Sequence, residues 1–329
     1  MSLMLPSAPP SDARLTDVLP SCYASLGVED LPNRLGLPEA SAVVLVLVDG
    51  LGLLNLSDSL GHAPFLRSRM GSVKRMTTVF PSTTAVALAS LVTGELPGTH
   101  GILGYRIRNP RTGNIINQLS GLTDVADLDS WLGVPTLHEH ARSSGKRSTV
   151  VGLPRFEKSP LTRVVHAGAR YVGANGLAER VERVCDELAD GIDFVLLYIP
   201  ELDQVAHAQG VTSMAWLAAL EEVDGALRTL VAAVPGGVRV YLTADHGYSM
   251  CPPRVILMWP RPRGISRAPR WWAGNRVPSR SFLTKASRER RERKSHWPTA
   301  IEKRGWRSSL TMPGWWCPRT SSPQDCGVP

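Results

Sequence analysis

Cysteine is scarce in this chain, and the few cysteines present are not arranged in pairs. The 329 residues contain five cysteines and no CxxC motif; the positions are Cys22, Cys185, Cys251, Cys317 and Cys326. A zinc ribbon needs closely paired cysteines, and a small disulfide-stapled domain needs a dense framework of them. Both classes of protein are therefore excluded, and a reducing environment is expected.

Targeting segments and long apolar runs are also missing. The opening stretch MSLMLPSAPPSDARL has no basic region followed by a long apolar run, so no signal peptide is predicted. The longest apolar run, AVVLVLV at 42–48, is far shorter than the roughly 20 residues of a membrane-spanning helix. We therefore predict a cytoplasmic protein without a membrane partner, and leave its oligomeric state open.

Acidic residues are rare in the last quarter of the chain. Residues 251–329 contain 17 of the 37 Lys and Arg but 4 of the 29 Asp and Glu, a net charge of +13. The first 250 residues keep 20 basic and 25 acidic residues, a net charge of −5. The overall charge of +8 therefore comes from the tail, and a nucleic-acid partner is expected only through that tail.

The composition changes abruptly at Cys251. Residues 251–329 hold 7 of the 9 Trp and 11 of the 26 Pro, with Arg-rich stretches such as SRERRERKSHW. Three interpretations stay open: a disordered basic extension, a nucleic-acid-binding arm, and translation in a shifted reading frame. We favour the shifted frame, because disordered tails are usually poor in Trp. The predicted domains are an incomplete core at 1–250 and an aberrant or disordered tail at 251–329.

Within the core, predicted strands alternate with predicted helices. The segment SAVVLVLVDGLG is a β-branched run typical of a strand buried on both faces of a parallel sheet. This alternation predicts an α/β fold with a mostly parallel sheet. Strands are predicted within 41–52, 134–154, 193–210 and 238–247, and helices within 80–105, 134–154, 176–190, 193–210 and 213–234.

Polar residues follow three of the predicted strands, and another opens a predicted helix. In an open parallel sheet, functional groups gather at the carboxyl ends of the strands, so these side chains are expected to converge. Such a set of carboxylate and imidazole groups is suited to binding a divalent metal. The candidate residues are Asp49, Thr84, Asp203, His207, Asp245 and His246.

Each candidate taken singly also has an ordinary structural interpretation. Asp49 is typical of a turn and Thr84 of a helix cap. The i, i+4 spacing of Asp203 and His207 also suits an exposed polar pair on one helical face. A charged pair directly after the strand VYLTA, in contrast, needs a compensating partner. The combination is therefore more informative than any of its members.

Four segments, in their order and spacing over residues 40–250, resemble one family. The chain is similar to the nucleotide pyrophosphatase/phosphodiesterase (type I phosphodiesterase) branch of the alkaline phosphatase superfamily. The resemblance implies an alkaline-phosphatase-like α/β fold, with helices flanking the sheet and an aberrant or disordered C-terminal part. The segments are VLVLVDGLG, FPSTTAVALASLVTGELPGTHGILGY, YIPELDQVAHAQG and LTADHGYS.

The resemblance also implies two divalent metal ions, expected to be zinc. Thr84 rather than Thr83 matches the nucleophile, which would form a covalent phospho-threonine ester that water then releases. His100 matches a residue with a structural role. The ligands would be Asp49, Thr84, Asp245 and His246 at one ion, and Asp203 and His207 at the other.

Two departures from the family pattern limit this expectation. The second ion usually has a third ligand, a His near the C-terminus followed by Gly; only His296 follows His246, and no Gly follows it. Activity is therefore expected to be impaired. Tyr105 stands where many eukaryotic members carry an Asn that binds a phosphate oxygen. The substrate is left open among nucleotide diesters, other diesters, phosphonates and monoesters.

The functional prediction is a metal-dependent phosphodiesterase or nucleotide pyrophosphatase acting on a small phosphodiester or nucleotide. The rival hypothesis is a catalytically inactive homologue, or a protein that binds nucleic acid through its basic tail. A manganese-dependent relative of the phosphoglycerate mutases ranks lower, because that family has a Ser nucleophile in different surroundings.

Overall fold

The computed structural model describes residues 13–109, 112–123, 125 and 127–248. The predicted tail at 251–329, its boundary at 250 and the weak candidate His296 lie outside the described residues. Those predictions therefore stay predictions.

Nine strands occur in the described part of the chain, and five of them form the central sheet. The other four form two short ribbons, in which β1 pairs with β3 and β4 pairs with β5. The strands are β1 Ala13–Arg14, β2 Ala42–Val48, β3 Met76–Thr77, β4 Arg106–Arg108, β5 Ile115–Asn117, β6 Ser148–Gly152, β7 Arg170–Gly173, β8 Phe194–Ile199 and β9 Val238–Thr243.

Eleven α-helices connect these strands in the same described residues, together with short 3-10 turns at Leu15–Asp17, Leu60–His62 and Met70–Ser72. No helix among them has both the length and the apolar character of a membrane span. The helices are α1 Val18–Ser25, α2 Leu53–Asp58, α3 Pro64–Arg69, α4 Thr84–Thr93, α5 Pro97–His100, α6 Leu137–Ser143, α7 Pro154–Glu157, α8 Pro160–Val165, α9 Leu177–Ala189, α10 Glu201–Gln209 and α11 Met214–Ala233.

The central sheet confirms the predicted α/β architecture. Its strand order is β7-β6-β8-β2-β9, and every neighbouring pair is parallel. All seven residues of β2 are buried, as expected for an inner strand of a parallel sheet. The strand β2 therefore lies between β8 and β9, the two strands that precede the other candidate residues.

Alternate residues of β2 pack into two separate helical layers. Val43, Leu45 and Leu47 belong to the cluster with apolar residues of α1, α4 and α8. Val44, Val46 and Val48 belong to the cluster with residues of α9, α10 and α11. This period-2 alternation explains the uninterrupted apolar run in the sequence, because both faces of the strand are covered.

The predicted elements are confirmed, with additions and one correction. The helix expected after the Pro-Ser-Thr-Thr turn begins at Thr84 and ends before Gly94, whose left-handed φ of 71° forms the C-cap. Within 193–210 the sequence pattern predicts a strand, a loop and a short helix; instead, β8 runs into α10 directly after Pro200, without a loop. The structure adds elements that the sequence pattern did not predict, namely β7, the two ribbons, α1, α2, α3, α5, α7 and α8.

Candidate active site

The candidate site lies where three neighbouring strands end. Asp49 follows β2 directly, Asp203 lies in the first turn of α10 after β8, and Asp245 lies two residues beyond β9. Val48 is opposite Ile199, and Leu47 is opposite Thr243, so the three strands end at nearly the same level. The sheet register thus brings three carboxylates that are far apart in sequence to one edge.

Glycines allow the two loops that carry these residues to touch. A Cβ atom on Gly52 would lie 2.5 Å from the Cα of Gly247, and a Cβ on Gly247 would lie 2.8 Å from the Cα of Gly52. No side chain fits at either position, because real Cβ contacts are longer than this. The loops 49–52 and 245–248 therefore pack backbone against backbone, which fixes Asp49 relative to Asp245.

His246 is at the centre of the cluster. Its Nε2 atom lies 3.4 Å from Asp245 Oδ2, 3.5 Å from Asp49 Oδ1 and 3.8 Å from Asp203 Oδ1. The same nitrogen lies 3.3 Å from the Thr84 hydroxyl oxygen. Four of the other five predicted residues therefore surround this nitrogen atom.

His207 joins the cluster from the solvent side. Its Nε2 atom lies 3.5 Å from Asp203 Oδ1, and its side chain is 56% exposed. The i, i+4 spacing places both side chains on one face of α10, as the sequence predicted. Asp203 thus lies between the histidine of α10 and the histidine that follows β9.

The carboxylates of this cluster are buried without a strong positive partner. The side chains of Asp49 and Asp245 are 3% and 0% exposed, and no Lys or Arg in the described ranges forms an ion pair with them. Burial, together with the neighbouring charges of Asp245 and Asp203, raises the pKa of Asp49 well above its usual range. The protein alone therefore leaves a concentration of negative charge that favours a cation.

Two of these carboxylates have one oxygen held by the protein and one oxygen free. Asp49 Oδ2 accepts a 2.5 Å hydrogen bond from the Tyr198 hydroxyl. Asp245 Oδ1 accepts hydrogen bonds from the backbone N–H groups of Gly50 and His246. Asp49 Oδ1 and Asp245 Oδ2 are buried and accept no hydrogen bond from any described residue. A buried carboxylate oxygen without a donor is costly unless a cation binds it.

The spacing of these atoms fits the ligand set of a metal ion. Ligands about 2 Å from a tetrahedral zinc lie roughly 3.3 Å from one another. The distances from His246 Nε2 to Asp245, Asp49 and Thr84 are 3.4, 3.5 and 3.3 Å. Ligand atoms of Asp49, Asp245 and His246 also lie within 4.8 Å of one another. Carboxylate and imidazole donors together suit a divalent metal such as zinc.

Comparison with known proteins identifies the family. The model of the type I phosphodiesterase/nucleotide pyrophosphatase family matches residues 43–304. This chain belongs to that family. The matched range includes all six clustered residues and continues beyond residue 250, and the nature of the tail stays a prediction.

Curated relatives of this phosphodiesterase-family chain are identical to it at about a quarter of the aligned positions. It is 26% identical over 234 residues to an uncharacterized pyrophosphatase/phosphodiesterase of Schizosaccharomyces pombe, covering 63% of this chain and 44% of that protein. It is 29% identical over 221 residues to a venom phosphodiesterase of Macrovipera lebetinus, covering 64% of this chain and 26% of that enzyme. The chain thus spans less than half the length of either relative.

A solved structure supports the family fold. Murine ectonucleotide pyrophosphatase/phosphodiesterase 5, in an inactive form in complex with AMP, superposes with a TM-score of 0.52 at 21% identity. The match covers 64% of this chain and 58% of the murine one. At this identity the comparison shows the shared fold alone, which confirms the predicted alkaline-phosphatase-like architecture.

His100 and Tyr105 of this family member have partners that bear on their predicted roles. His100 is fully buried; its Nε2 is 2.8 Å from Ser90 Oγ, and its Nδ1 accepts from the Ile102 N–H. These contacts are those of a residue that holds its own loop in place, as expected from the sequence. The Tyr105 hydroxyl accepts a 2.9 Å hydrogen bond from Asn117, so its own proton is available to donate elsewhere.

Sequence reasoning missed the residues that hold the carboxylates in place. Tyr198 binds Asp49, and the Tyr248 hydroxyl donates to Asp203 Oδ1. A signal for Tyr198 was present, because a single hydroxyl in the buried strand FVLLYI needs a polar partner. For Tyr248 the signal was only its position, two residues after His246.

Proposed function

We propose that this chain is a divalent-metal-dependent phosphodiesterase or nucleotide pyrophosphatase that works through a covalent phospho-threonine intermediate. The observation that carries this proposal is the position of the Thr84 hydroxyl, 3.3 Å from His246 Nε2, beside buried carboxylates with free oxygens. A nucleophile next to a metal-binding set of ligands is the arrangement that phosphoryl transfer requires.

The chain offers ligands for two metal sites. Asp49, Asp245 and His246, with the Thr84 hydroxyl, would hold one ion, and Asp203 and His207 would hold the other. When bound, the metal supplies positive charge that lowers the pKa of a neighbouring hydroxyl and neutralises charge on the phosphate oxygens. Zinc is the ion we propose, because imidazole and carboxylate together are typical zinc ligands.

The residues around Thr84 account for the chemistry. Thr84 Oγ1 would lose its proton to solvent and attack phosphorus, forming a bond to the phosphoryl group as the bond to the leaving oxygen breaks, and the leaving oxygen would take up a proton from solvent. Water would then attack the phospho-threonine ester and release the phosphoryl group, restoring the hydroxyl. Thr84 is the first residue of α4, and the first N–H groups of a helix have no intrahelical acceptor. These groups can therefore orient an oxygen of the phosphate.

The substrate class we propose is a small phosphate diester or a nucleotide. Family membership supports it, and the murine relative was solved in complex with AMP. The cytoplasmic location is also kept as a proposal; the free thiols of Cys22 and Cys185 are compatible with it.

Replacement of Thr84 tests the proposal directly. With added Zn²⁺, the wild-type chain should hydrolyse a chromogenic phosphodiester. Thr84→Ala should lose at least about 1,000-fold in turnover, as expected when a nucleophile is removed. Zn²⁺ binding measured by calorimetry should persist, because the carboxylates and histidines stay in place.

Two further variants control this experiment. Thr84→Ser keeps a hydroxyl and should retain measurable activity. Thr83→Ala removes the neighbouring hydroxyl, which makes no hydrogen bond to any residue that the structure describes, and should behave like wild type. Near-normal turnover in Thr84→Ala would reject Thr84 as the nucleophile. Absence of hydrolysis by the metal-loaded wild type would reject the enzymatic function of this chain.

A further inference from the structure

Tyr248 stands against both histidines of the candidate site. Its ring is edge-on to the His207 ring at 5.6 Å between centroids, and edge-on to the His246 ring at 5.8 Å. His207 belongs to the predicted second metal site and His246 to the first. Tyr248 is therefore in contact with a ligand of each.

The Tyr248 hydroxyl donates to the carboxylate that lies between the two histidines. Its hydrogen bond goes to Asp203 Oδ1. That same oxygen lies 3.5 Å from His207 Nε2 and 3.8 Å from His246 Nε2. A donor on this oxygen fixes the rotation of the carboxylate, so that Oδ1 faces both imidazole rings.

The backbone of Tyr248 is itself held in place by Asn55. The Tyr248 N–H donates to Asn55 Oδ1 at 2.8 Å, and Asn55 Nδ2 donates to the Tyr248 carbonyl at 3.0 Å. Beneath the ring, a Cβ on Gly50 would lie 2.8 Å from Tyr248 Cε2, so only glycine leaves space for the ring there. Two residues near Asp49 therefore fix the position of Tyr248: Asn55 binds its backbone, and Gly50 leaves space for its ring.

We propose that Tyr248 is a positioning residue that sets the divalent-cation affinity of the site by holding the Asp203 carboxylate toward both His207 and His246. The inference rests on the metal site of the proposed function, and it does not depend on hydrolysis. Residues that orient metal ligands through hydrogen bonds typically change metal affinity by about 10- to 100-fold when they are removed.

Metal titration without substrate tests this role. Tyr248→Phe removes the hydroxyl and keeps the ring, so Zn²⁺ affinity measured by calorimetry should fall by about 10- to 100-fold. The matched control is Tyr171→Phe in the edge strand β7, whose hydroxyl donates to the Leu153 carbonyl at 3.0 Å. This control should bind Zn²⁺ like wild type, and urea unfolding of both variants in the presence of chelator separates affinity from stability.

A double-mutant cycle distinguishes positioning from a general structural effect. If Tyr248 acts through Asp203, then Tyr248→Phe should cause no additional loss of Zn²⁺ affinity in the Asp203→Ala background. If the single variant failed to fold, Asn55→Ala, which releases the Tyr248 backbone and keeps its hydroxyl, should weaken Zn²⁺ binding in the same direction.

Failure of the positioning role can be distinguished from failure of the proposed function. Wild-type Zn²⁺ affinity in Tyr248→Phe, or an equal loss with and without Asp203, would overturn the positioning role even if hydrolysis occurs. Metal binding that depends on Tyr248 in a chain without hydrolytic activity would support the positioning role and reject the proposed function. A wild-type chain that binds no Zn²⁺ would overturn both.

Discussion

Two acidic residues on the first turn of α10 differ in whether a basic side chain compensates their charge. Glu201 forms an ion pair with Arg180, whose side chain is 0% exposed and which also donates to the Tyr198 carbonyl at 3.0 Å. Asp203, two residues later, faces the other acids and two histidines, and no Lys or Arg in the described part pairs with it. The same helical turn thus carries one compensated and one uncompensated carboxylate.

The difference separates structural charge from functional charge. The Arg180–Glu201 pair links α9 to the start of α10, and therefore fixes the helix that presents Asp203 and His207. The uncompensated cluster stabilises nothing by itself, since its members repel one another and are desolvated. Unfavourable repulsion of this kind is expected at a binding site, where the surrounding structure has to stabilise residues that would otherwise destabilise the fold.

The largest effect is expected from breaking the compensated pair. Glu201→Gln leaves the Arg180 guanidinium buried without its counter-charge, which should lower the free energy of unfolding by about 3 kcal/mol. Urea unfolding measures this loss. The control Glu182→Gln, at an exposed position on α9, should change stability by less than about 0.5 kcal/mol.

Restoring neutrality completes that test. The double variant Arg180→Met/Glu201→Leu replaces the pair with apolar groups and should recover most of the lost stability, since a buried pair seldom stabilises more than a well-packed apolar substitute. If Glu201→Gln proved as mild as Glu182→Gln, the pair would not have the structural role given to it here.

A second effect comes from histidines buried where neither a counter-charge nor a metal site compensates them. His138 and His166 pack with ring centroids 5.9 Å apart, and each has one ring nitrogen without a hydrogen-bond partner in the described structure. The other ring nitrogen of His138 lies 2.6 Å from the Tyr23 hydroxyl. Burial lowers the pKa of His138 to about 3 and that of His166 to about 4. Both therefore stay neutral in the folded protein.

Acid should consequently destabilise the fold. Below a pH of about 6.5 the unfolded chain binds protons that the folded chain does not, so the free energy of unfolding falls with pH. At pH 5 each histidine should contribute a loss of about 2 kcal/mol, measurable by urea unfolding with chelator at pH 7 and pH 5. His100 is a third fully buried histidine, and burial lowers its pKa to about 4, so His166→Leu should remove about a third of this pH dependence. An unchanged slope in His166→Leu would contradict the burial argument.

The sequence predicted this cluster of side chains because its signals are local. Asp49, Asp245 and His246 each lie within three residues of the end of an apolar strand, so the strand pattern alone placed them near carboxyl ends. The neighbours of each strand could not be predicted in this way. The first strand of the central sheet, β2, lies between the last two, β8 and β9, and only tertiary packing determines that order. The convergence of the side chains was predicted from the general position of functional groups in parallel sheets, and the resemblance to a known family supplied the assignment of ligands to two metal ions.

The missed elements have specific physical reasons. The edge strand β7 is four residues, RYVG, too short to show a period and ending in glycine. The β4–β5 hairpin had one signal in the sequence, a glycine at position 113, which adopts a left-handed φ of 75° in the structure. Its two strands have only three residues each, too few to show an alternating pattern. The Tyr198–Asp49 hydrogen bond joins residues 149 apart in sequence, a separation that no local pattern reports.

The smallest predicted effect has the opposite sign to that of the Glu201 variant. Asp49→Asn removes a buried charge that neighbouring carboxylates repel, and its amide oxygen can still accept from Tyr198. The metal-free protein should therefore gain about 1 kcal/mol in the free energy of unfolding, a typical gain when a functional site is neutralised. Urea unfolding with chelator measures this gain, and the exposed Asp186→Asn on α9 provides the control.

The same variant should lose Zn²⁺ affinity, because Asp49 Oδ1 is one of the two buried carboxylate oxygens without a donor. A gain in stability together with a loss of metal binding is the signature of a residue whose charge serves binding rather than folding. If Asp49→Asn destabilised the metal-free chain as Glu201→Gln does, Asp49 would be compensated within the fold. The two carboxylate environments would then be equivalent, and the contrast between them would fail.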